Sequence, residues 1–423
     1  MSNAIRKTGT RFGRPETRAF TLIEMLVAIT AGLFVSITAV ALARQGSWFF
    51  QQESRIATTQ FGTTIGFDRL RADIARAAFM STPNIQKDPL RCGTIDGAWP
   101  AGLARLAAVR IDQATNTYTL PSAVSMLQAA NGLTPDRLTL AGNYSSVEWF
   151  PVMGVFSNGT TTADVYITPD SGAVARSGGP TIAALSAIFQ AGRVLRMLDS
   201  GGRFEYGVIQ SLFMSPDNVP VVRLIANTVT MMQPGAPCGI TGNGTGMLVN
   251  VVNLVRYEIR SLVGNPPLAY AQLFTDAGLA PGDETRLELV RVELAADGVT
   301  ERAGSLEVVA EYAVDLKFGL AAVTTYGGTG VDPLITQYPI GDPETYKYAK
   351  DVTQPESATI GPEKIRSVRV RMAIRSREGD RRANLPSDGG AIFRYAMPDG
   401  ASFARVRTMT ADIALPNLAG VAW

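Results

Sequence analysis

The segment that most constrains this chain begins at Glu24. After that carboxylate no charged residue appears until Arg44, so Met25 to Ala43 form an uncharged, mostly apolar run of 19 residues. As a helix the run measures roughly 28 Å at about 1.5 Å per residue, close to the thickness of one bilayer core. Glu24 sits just inside its start. An acid at mid-membrane costs roughly 2.5–3.5 kcal/mol on insertion scales, so the carboxylate needs a partner. A cut before Phe20 would place a new α-ammonium about one helical turn from Glu24.

Upstream of Phe20, Arg6, Lys7, Arg11, Arg14 and Arg18 stand against a single acid, Glu16. This basic leader, residues 1–19, is expected to stay cytoplasmic, because Lys and Arg flanking an apolar helix are retained on that side. The chain as a whole carries a formal +2. Without the leader it is weakly acidic, so the basic balance belongs to the leader and argues for no nucleic-acid partner.

Arg18-Ala19-Phe20-Thr21-Leu22-Ile23-Glu24 followed by an apolar helix resembles the class III signal of type IV pilins and type II secretion pseudopilins. The resemblance implies that a prepilin peptidase cuts between Ala19 and Phe20 and methylates the new amino group of Phe20. It implies that the helix is kept, first as a membrane anchor and later in the packed core of a filament. There Glu24, fifth in the mature chain, pairs with a neighbour's amino terminus. Ala19 stands where the family usually has Gly, and Ala41 where major pilins often carry a kinking Pro. Both departures point to a minor subunit with a straight anchor, since no proline removes a backbone donor. An ordinary secretory signal cut after Ala41-Leu42-Ala43 and a plain anchor helix are the alternatives. Glu24 is badly placed for the first, and the second gives no reason for Phe-Thr-Leu-Ile-Glu.

From Arg44 to Phe79 there is no proline, and Phe67, Leu70, Ile74 and Ala78 recur at spacings of three and four. That is one apolar face of an amphipathic helix, with Gln52, Glu53, Arg69, Arg71 and Asp73 on other faces. Ser81-Thr82-Pro83 ends the pattern. The expected spine is therefore one helix over residues 20–80, membrane-spanning over 20–43. Trp48, Phe49 and Phe50 fall where it leaves the bilayer; they either anchor at the interface or pack on the head.

Residues 84–423 suffice for a sizeable core, in one lobe or two. Val368, Val370, Met372 and Ile374 alternate with Arg369, Arg371, Ala373 and Arg375, a half-buried strand with one basic face. Leu287–Leu294, Leu306–Leu320 and Phe403–Leu415 read as further strands, as do Glu205–Phe213, Val219–Ile225 and Met247–Ile259. Thr181–Ser200 is the best helical candidate after Phe79. Segments 157–180, 233–246 and 322–362, rich in Gly, Pro, Thr and Asn, read as long loops. The fold class is α+β and pilin-like: a long N-terminal helix packed on a mostly antiparallel head with long loops.

Val308–Leu316, Ile365–Arg377 and Phe403–Asn417 resemble the PilW family of minor pilins and are similar to pseudopilin J of type II secretion. The PilW resemblance implies a subunit that primes type IV pilus assembly and sits near the pilus tip, supporting adhesion and twitching motility. Its partners would be other minor pilins, the major pilin and a PilY1-like tip adhesin. It would sit as a single-pass inner-membrane protein with a periplasmic head before joining the pilus. A J-like minor pseudopilin of a secretion or competence pseudopilus is the alternative. Residues 84–300 carry no motif of either family.

The chain has no histidine, which removes His-based triads, the common zinc sites and imidazole acid–base chemistry. The Gly239–Gly246 run lacks the lysine of a phosphate-binding loop. Carboxylates stand singly or beside basic residues, as in Glu378-Gly379-Asp380-Arg381-Arg382, where a salt-bridged turn is expected. A calcium site near Asp342 and Glu344, or near Asp164 and Asp170, is conceivable by analogy with minor pseudopilins, though the spacing is poor. No cofactor and no enzymatic activity are expected. Cys92 and Cys238 make either one disulfide or two buried thiols. A bridge would close a loop of well over a hundred residues, worth about 4–5 kcal/mol in the chain-entropy model.

Overall fold

The computed structural model describes residues 21–93, 99, 101–113, 122–157, 162–225, 243–263, 266–274, 285–325, 333–379, 394–398 and 402–421. The chain divides into two compact units, Met1–Ala57 and Thr58–Trp423.

Helix α1, Leu22–Ala75, runs for 54 residues. Along its first half Thr30, Ser36 and Thr38 return their hydroxyls to the carbonyls of Leu26, Gly32 and Val35 at 2.8–3.0 Å, so these polar groups stay satisfied within an apolar stretch. The helix ends a turn before Ser81-Thr82-Pro83. Ala78 and Met80 take positive φ angles of 60° and 51°. The N–H of Ala78 is drawn to the carbonyl of Ala141 at 2.8 Å instead of continuing the helix.

Among the described residues ten strands form the first sheet: β1 (Val109–Asp112), β2 (Arg137–Gly142), β3 (Phe150–Ser157), β4 (Thr162–Ile167), β5 (Val194–Leu198), β6 (Phe204–Met214), β7 (Pro220–Ile225), β8 (Leu248–Arg260), β9 (Glu288–Leu294) and β10 (Glu307–Glu311). The second holds five: β11 (Ala313–Thr325), β12 (Leu334–Tyr338), β13 (Ile365–Arg375), β14 (Arg394–Ala396) and β15 (Phe403–Ala414), in the order β12-β11-β13-β15-β14. All these strand pairs are antiparallel, so the architecture is α+β with one long N-terminal helix.

Strand β8 organises the first sheet. Its first residues pair with β3 on one side and β5 on the other, while Asn253 to Arg260 pair with β2 and β9. The ring β8-β3-β4-β7-β6-β5 closes on itself through the β5–β8 pairing, giving a six-stranded barrel continuous with an open sheet of β1, β2, β8, β9 and β10. β8 is buried from Val249 to Ile259, as a strand covered on both faces must be. Side chains fill the barrel: Phe150, Val165, Ile167, Met197, Val222, Leu224 and Val251 pack with Phe189, which meets Phe150 edge-on at 5.0 Å. Gly207 permits the tight wall, because a Cβ there would lie 2.8 Å from Leu224 Cδ1.

The main core lies where α1 meets both sheets. Phe67, Leu70 and Ile74 pack with Leu138, Leu140, Tyr257 and Leu289 from the first sheet and with Leu316, Phe318, Val370 and Met372 from the second. The apolar face read from the helical spacing is thus the buried one.

Several expectations change. Thr181–Ser200 is not a helix: only Ile182–Leu185 is helical, and Val194–Leu198 is strand β5, held between β6 and β8. Pairing on both edges outweighs the local helical pattern. Segment 157–180 contains β4, and 322–362 contains β12 and the helix Pro343–Tyr348. The single strand expected over Leu306–Leu320 breaks at Tyr312, whose φ of 55° turns the chain from the first sheet into the second. On β13, Arg369 and Arg371 pair across strands with Asp412 and Asp315. Arg375 is buried rather than on an open basic face, and it stacks against Tyr312 and Tyr395.

Candidate functional site: a capped apolar helix locked into the head

Glu24 sits in the first turn of α1. Its Oε2 accepts the N–H of Thr21 at 3.0 Å and the Thr21 hydroxyl at 2.9 Å, while the N–H of Glu24 donates to the Thr21 hydroxyl at 3.3 Å. This is a capping box, Thr-x-x-Glu, in which two helix-end donors are satisfied reciprocally. Leu22, Ile23, Met25, Leu26, Ile29, Leu33 and Phe34 are all exposed around the helix. It is long and apolar enough to cross a membrane. Trp48, Phe49 and Phe50 are exposed as well.

The other end of α1 is fastened by charge. Asp73, which the helical pattern places among the polar faces, is almost fully buried. Its Oδ2 accepts the Tyr257 hydroxyl at 2.8 Å and Arg291 Nε at 2.6 Å, and Arg69 approaches Oδ1 at 3.7 Å. Arg69 also reaches Glu307 at 3.1 Å, so one helix turn is tied to β8, β9 and β10. Burial, reinforced by the Asp73 charge, pushes the Tyr257 and Tyr144 hydroxyls well above their ordinary range, so both remain donors. Tyr144 donates to the Asp73 carbonyl at 3.0 Å. Gly66 lets the helix lie against Val309, where a Cβ would meet the carbonyl oxygen at 3.0 Å. Asn417 donates to the carbonyl of Ala77 at 3.0 Å, closing the helix end from the far terminus.

A second cluster joins the barrel to the open sheet. Glu293 on β9 receives Arg193 at 2.6 and 2.8 Å, Arg302 at 2.8 Å and Asn253 at 2.9 Å. Burial works against its charge, but Arg193, Asn253 and Arg302 hold the carboxyl below its usual range.

The carboxylates considered for calcium are engaged elsewhere. Asp342 caps the helix Pro343–Tyr348 through the Glu344 N–H at 2.8 Å, and Glu344 pairs with Lys347. Asp164 pairs with Arg223 through both oxygens at 2.7 and 2.8 Å, and Asp170 is exposed. Cys92 is buried and disulfide-bonded. Its expected partner Cys238 lies outside the described residues, as do Ala19, Phe20, Asp380, Arg381, Arg382 and positions 239–242.

The Asp73 cluster escapes sequence reading. Its one local signal is that Asp73 shares a helix flank with Gly66, a small residue of the kind that allows close approach. No protein-family model, curated protein or solved structure matches the chain.

Proposed function

We propose that the chain is a minor pilin of the PilW kind, held by α1 in the inner membrane with its leader cytoplasmic and its head periplasmic. After the cut between Ala19 and Phe20 it primes type IV pilus assembly and sits near the filament tip. Its partners are the prepilin peptidase, the other minor pilins, the major pilin and a tip adhesin.

The observation that carries this reading is the division of labour within one helix. Residues 22–43 present apolar side chains in every direction behind a capped acid, while Phe67, Leu70 and Ile74 are buried in an antiparallel head. For a helix used only to anchor, the acid would do no more than cap its first turn. A helix used only as core has no need of the exposed half.

Assembly then proceeds by packing. Apolar helices leave lipid for one another, and Glu24 exchanges its Thr21 partners for a neighbour's ammonium. In a low-dielectric bundle either charge alone would be costly. The capping box does not depend on the leader, because Thr21 keeps its N–H after the cut. Glu24 is therefore satisfied in the membrane before a neighbour arrives.

Mass spectrometry of the protein from cells with and without prepilin peptidase tests the reading. N-methyl-Phe20 in the first and intact Met1 in the second is the expected result. A chain beginning at Arg44, or Met1 in both, sinks it. Co-purification with secretion-system subunits instead of pilus subunits moves the protein to the J-like pseudopilins.

A further inference from the structure

Arg196, in the middle of β5, is only 7% exposed. Its guanidinium carbon lies 3.4 Å from the centre of the Phe204 ring and 5.9 Å from that of Trp149. Buried Arg193, Arg256 and Arg286 have carboxylates in Glu293, Glu258 and Glu288, and buried Arg375 donates to the carbonyls of Ser376 and Arg377. Arg196 has none among the described residues, and its Nε makes no hydrogen bond.

The groups around it share this lack. Arg196 stands opposite Tyr206 on β6 and opposite Asn250 on β8. Asn250 Nδ2 donates to the Met80 carbonyl at 2.7 Å, which brings the strained segment after α1 against the same place. Ser81 Oγ, Thr82 Oγ1, the Tyr206 hydroxyl and Asn250 Oδ1 are buried without hydrogen-bond partners. The Tyr206 hydroxyl sits within reach of Arg196 and Thr82 but short of hydrogen-bond geometry with either. The charge of Asp88 is felt at Tyr206, but Asp88 Oδ1 accepts the Leu90 N–H at 2.9 Å.

A buried guanidinium without a counter-charge is costly, and so is a buried hydroxyl without a partner. Water can satisfy the hydroxyls but brings no negative charge. A metal ion is excluded by the cation already there. We infer that Arg196, Thr82 and Tyr206 form a binding site for a small oxyanion of the phosphate or sulfate class. The guanidinium supplies charge and a planar fork of donors, and the two hydroxyls supply donors from other directions. The bound anion would tie the segment leaving α1 to the barrel wall. The inference is independent of the pilin reading.

The test uses the full chain in detergent. Inorganic phosphate and sulfate are titrated calorimetrically, and thermal unfolding is followed in each against chloride at matched ionic strength. Wild type should bind one anion saturably and gain thermal stability with its concentration. Arg196→Met should lose both responses. Arg196→Lys, which keeps the charge without the fork, and Tyr206→Phe, which removes one donor, should each bind phosphate about tenfold more weakly. An equal rise in melting temperature in wild type and Arg196→Met, with no saturable heat, overturns the proposal and leaves water in the cluster. Unchanged phosphate affinity in both Arg196→Lys and Tyr206→Phe overturns it too, should Arg196→Met fail to fold.

Discussion

Tyr257 and Arg291 converge on the same carboxylate oxygen of Asp73, at 2.8 and 2.6 Å, from two neighbouring strands beneath the last turns of α1. Removing that carboxylate leaves a largely buried guanidinium and a buried phenol facing apolar packing. Asp73→Ala should therefore destabilise the head by about 3–5 kcal/mol, the range for breaking one side of a buried ion pair. Arg69→Ala, at a half-exposed partner, should cost no more than about 1 kcal/mol. Chemical denaturation of the full chain in detergent measures both. Similar losses for the two variants would mean that Asp73 is not the centre of the lock.

The pH dependence of stability has one identifiable source in Glu288. Its side chain is fully buried, pairs with Arg286 and accepts the Leu262 N–H at 3.4 Å. Burial pushes the carboxyl from an ordinary 4.5 up to about 7. Between those values the folded chain keeps a proton that the unfolded chain has lost. The contribution is therefore fully present below about pH 4.5 and is lost as the pH rises through about 7. Glu288→Gln should flatten this decline, which amounts to up to about 3 kcal/mol for a shift of this size. Denaturation midpoints of both proteins at pH 5, 6, 7 and 8 (about one unit apart across the titration) decide it. Parallel curves would assign the pH dependence elsewhere.

What could be read from the sequence was what repeats locally. Phe67, Leu70 and Ile74 announce a buried helix face because their spacing follows the helical period, and Val368 to Ile374 announce β13 by alternation. Of the barrel, β6, β7 and β8 can be read this way, but β3, β4, β5 and the closure cannot. A bulge at Val152/Gly154 interrupts the alternation of β3, and the closure depends on β5 pairing with two strands at once. Asp73 is illegible for the same reason on a larger scale, since Tyr257 and Arg291 follow it by 184 and 218 residues. At Glu24 the acid and its helix are plain in the sequence, and Thr21, three residues earlier, completes a capping box with it. It is a local explanation that competes directly with pairing to a neighbour.

The closed barrel predicts a steric sensitivity at Gly207. A methyl group there meets Leu224 Cδ1 at 2.8 Å, well inside van der Waals contact. Gly207→Ala should cost about 1–3 kcal/mol as the buried Leu224 side chain is pushed out of its packing, and Gly207→Val more. Phe150→Ala, which empties the interior instead, should cost about 3–5 kcal/mol. Thermal unfolding of the three variants checks the order. A neutral Gly207→Val would mean that the Leu224 side chain yields freely inside the barrel.

Two substitutions at Glu24 separate capping from pairing. A capping box accepts Gln in place of Glu, because the amide oxygen can still receive the Thr21 N–H. Pairing with a neighbour's ammonium needs the charge. If Glu24 serves only as a cap, Glu24→Gln behaves as wild type and Glu24→Ala loses about 0.5–2 kcal/mol of helix-end stability. If it pairs in a filament, both variants insert in the membrane and are cut at Ala19-Phe20, yet both fail to assemble to a similar degree. The readout is the amount of protein in sheared pili relative to the membrane fraction. The pilin reading expects Gln and Ala to fall together. Full incorporation of Glu24→Gln would reduce Glu24 to a helix cap and remove the ion pair from the mechanism.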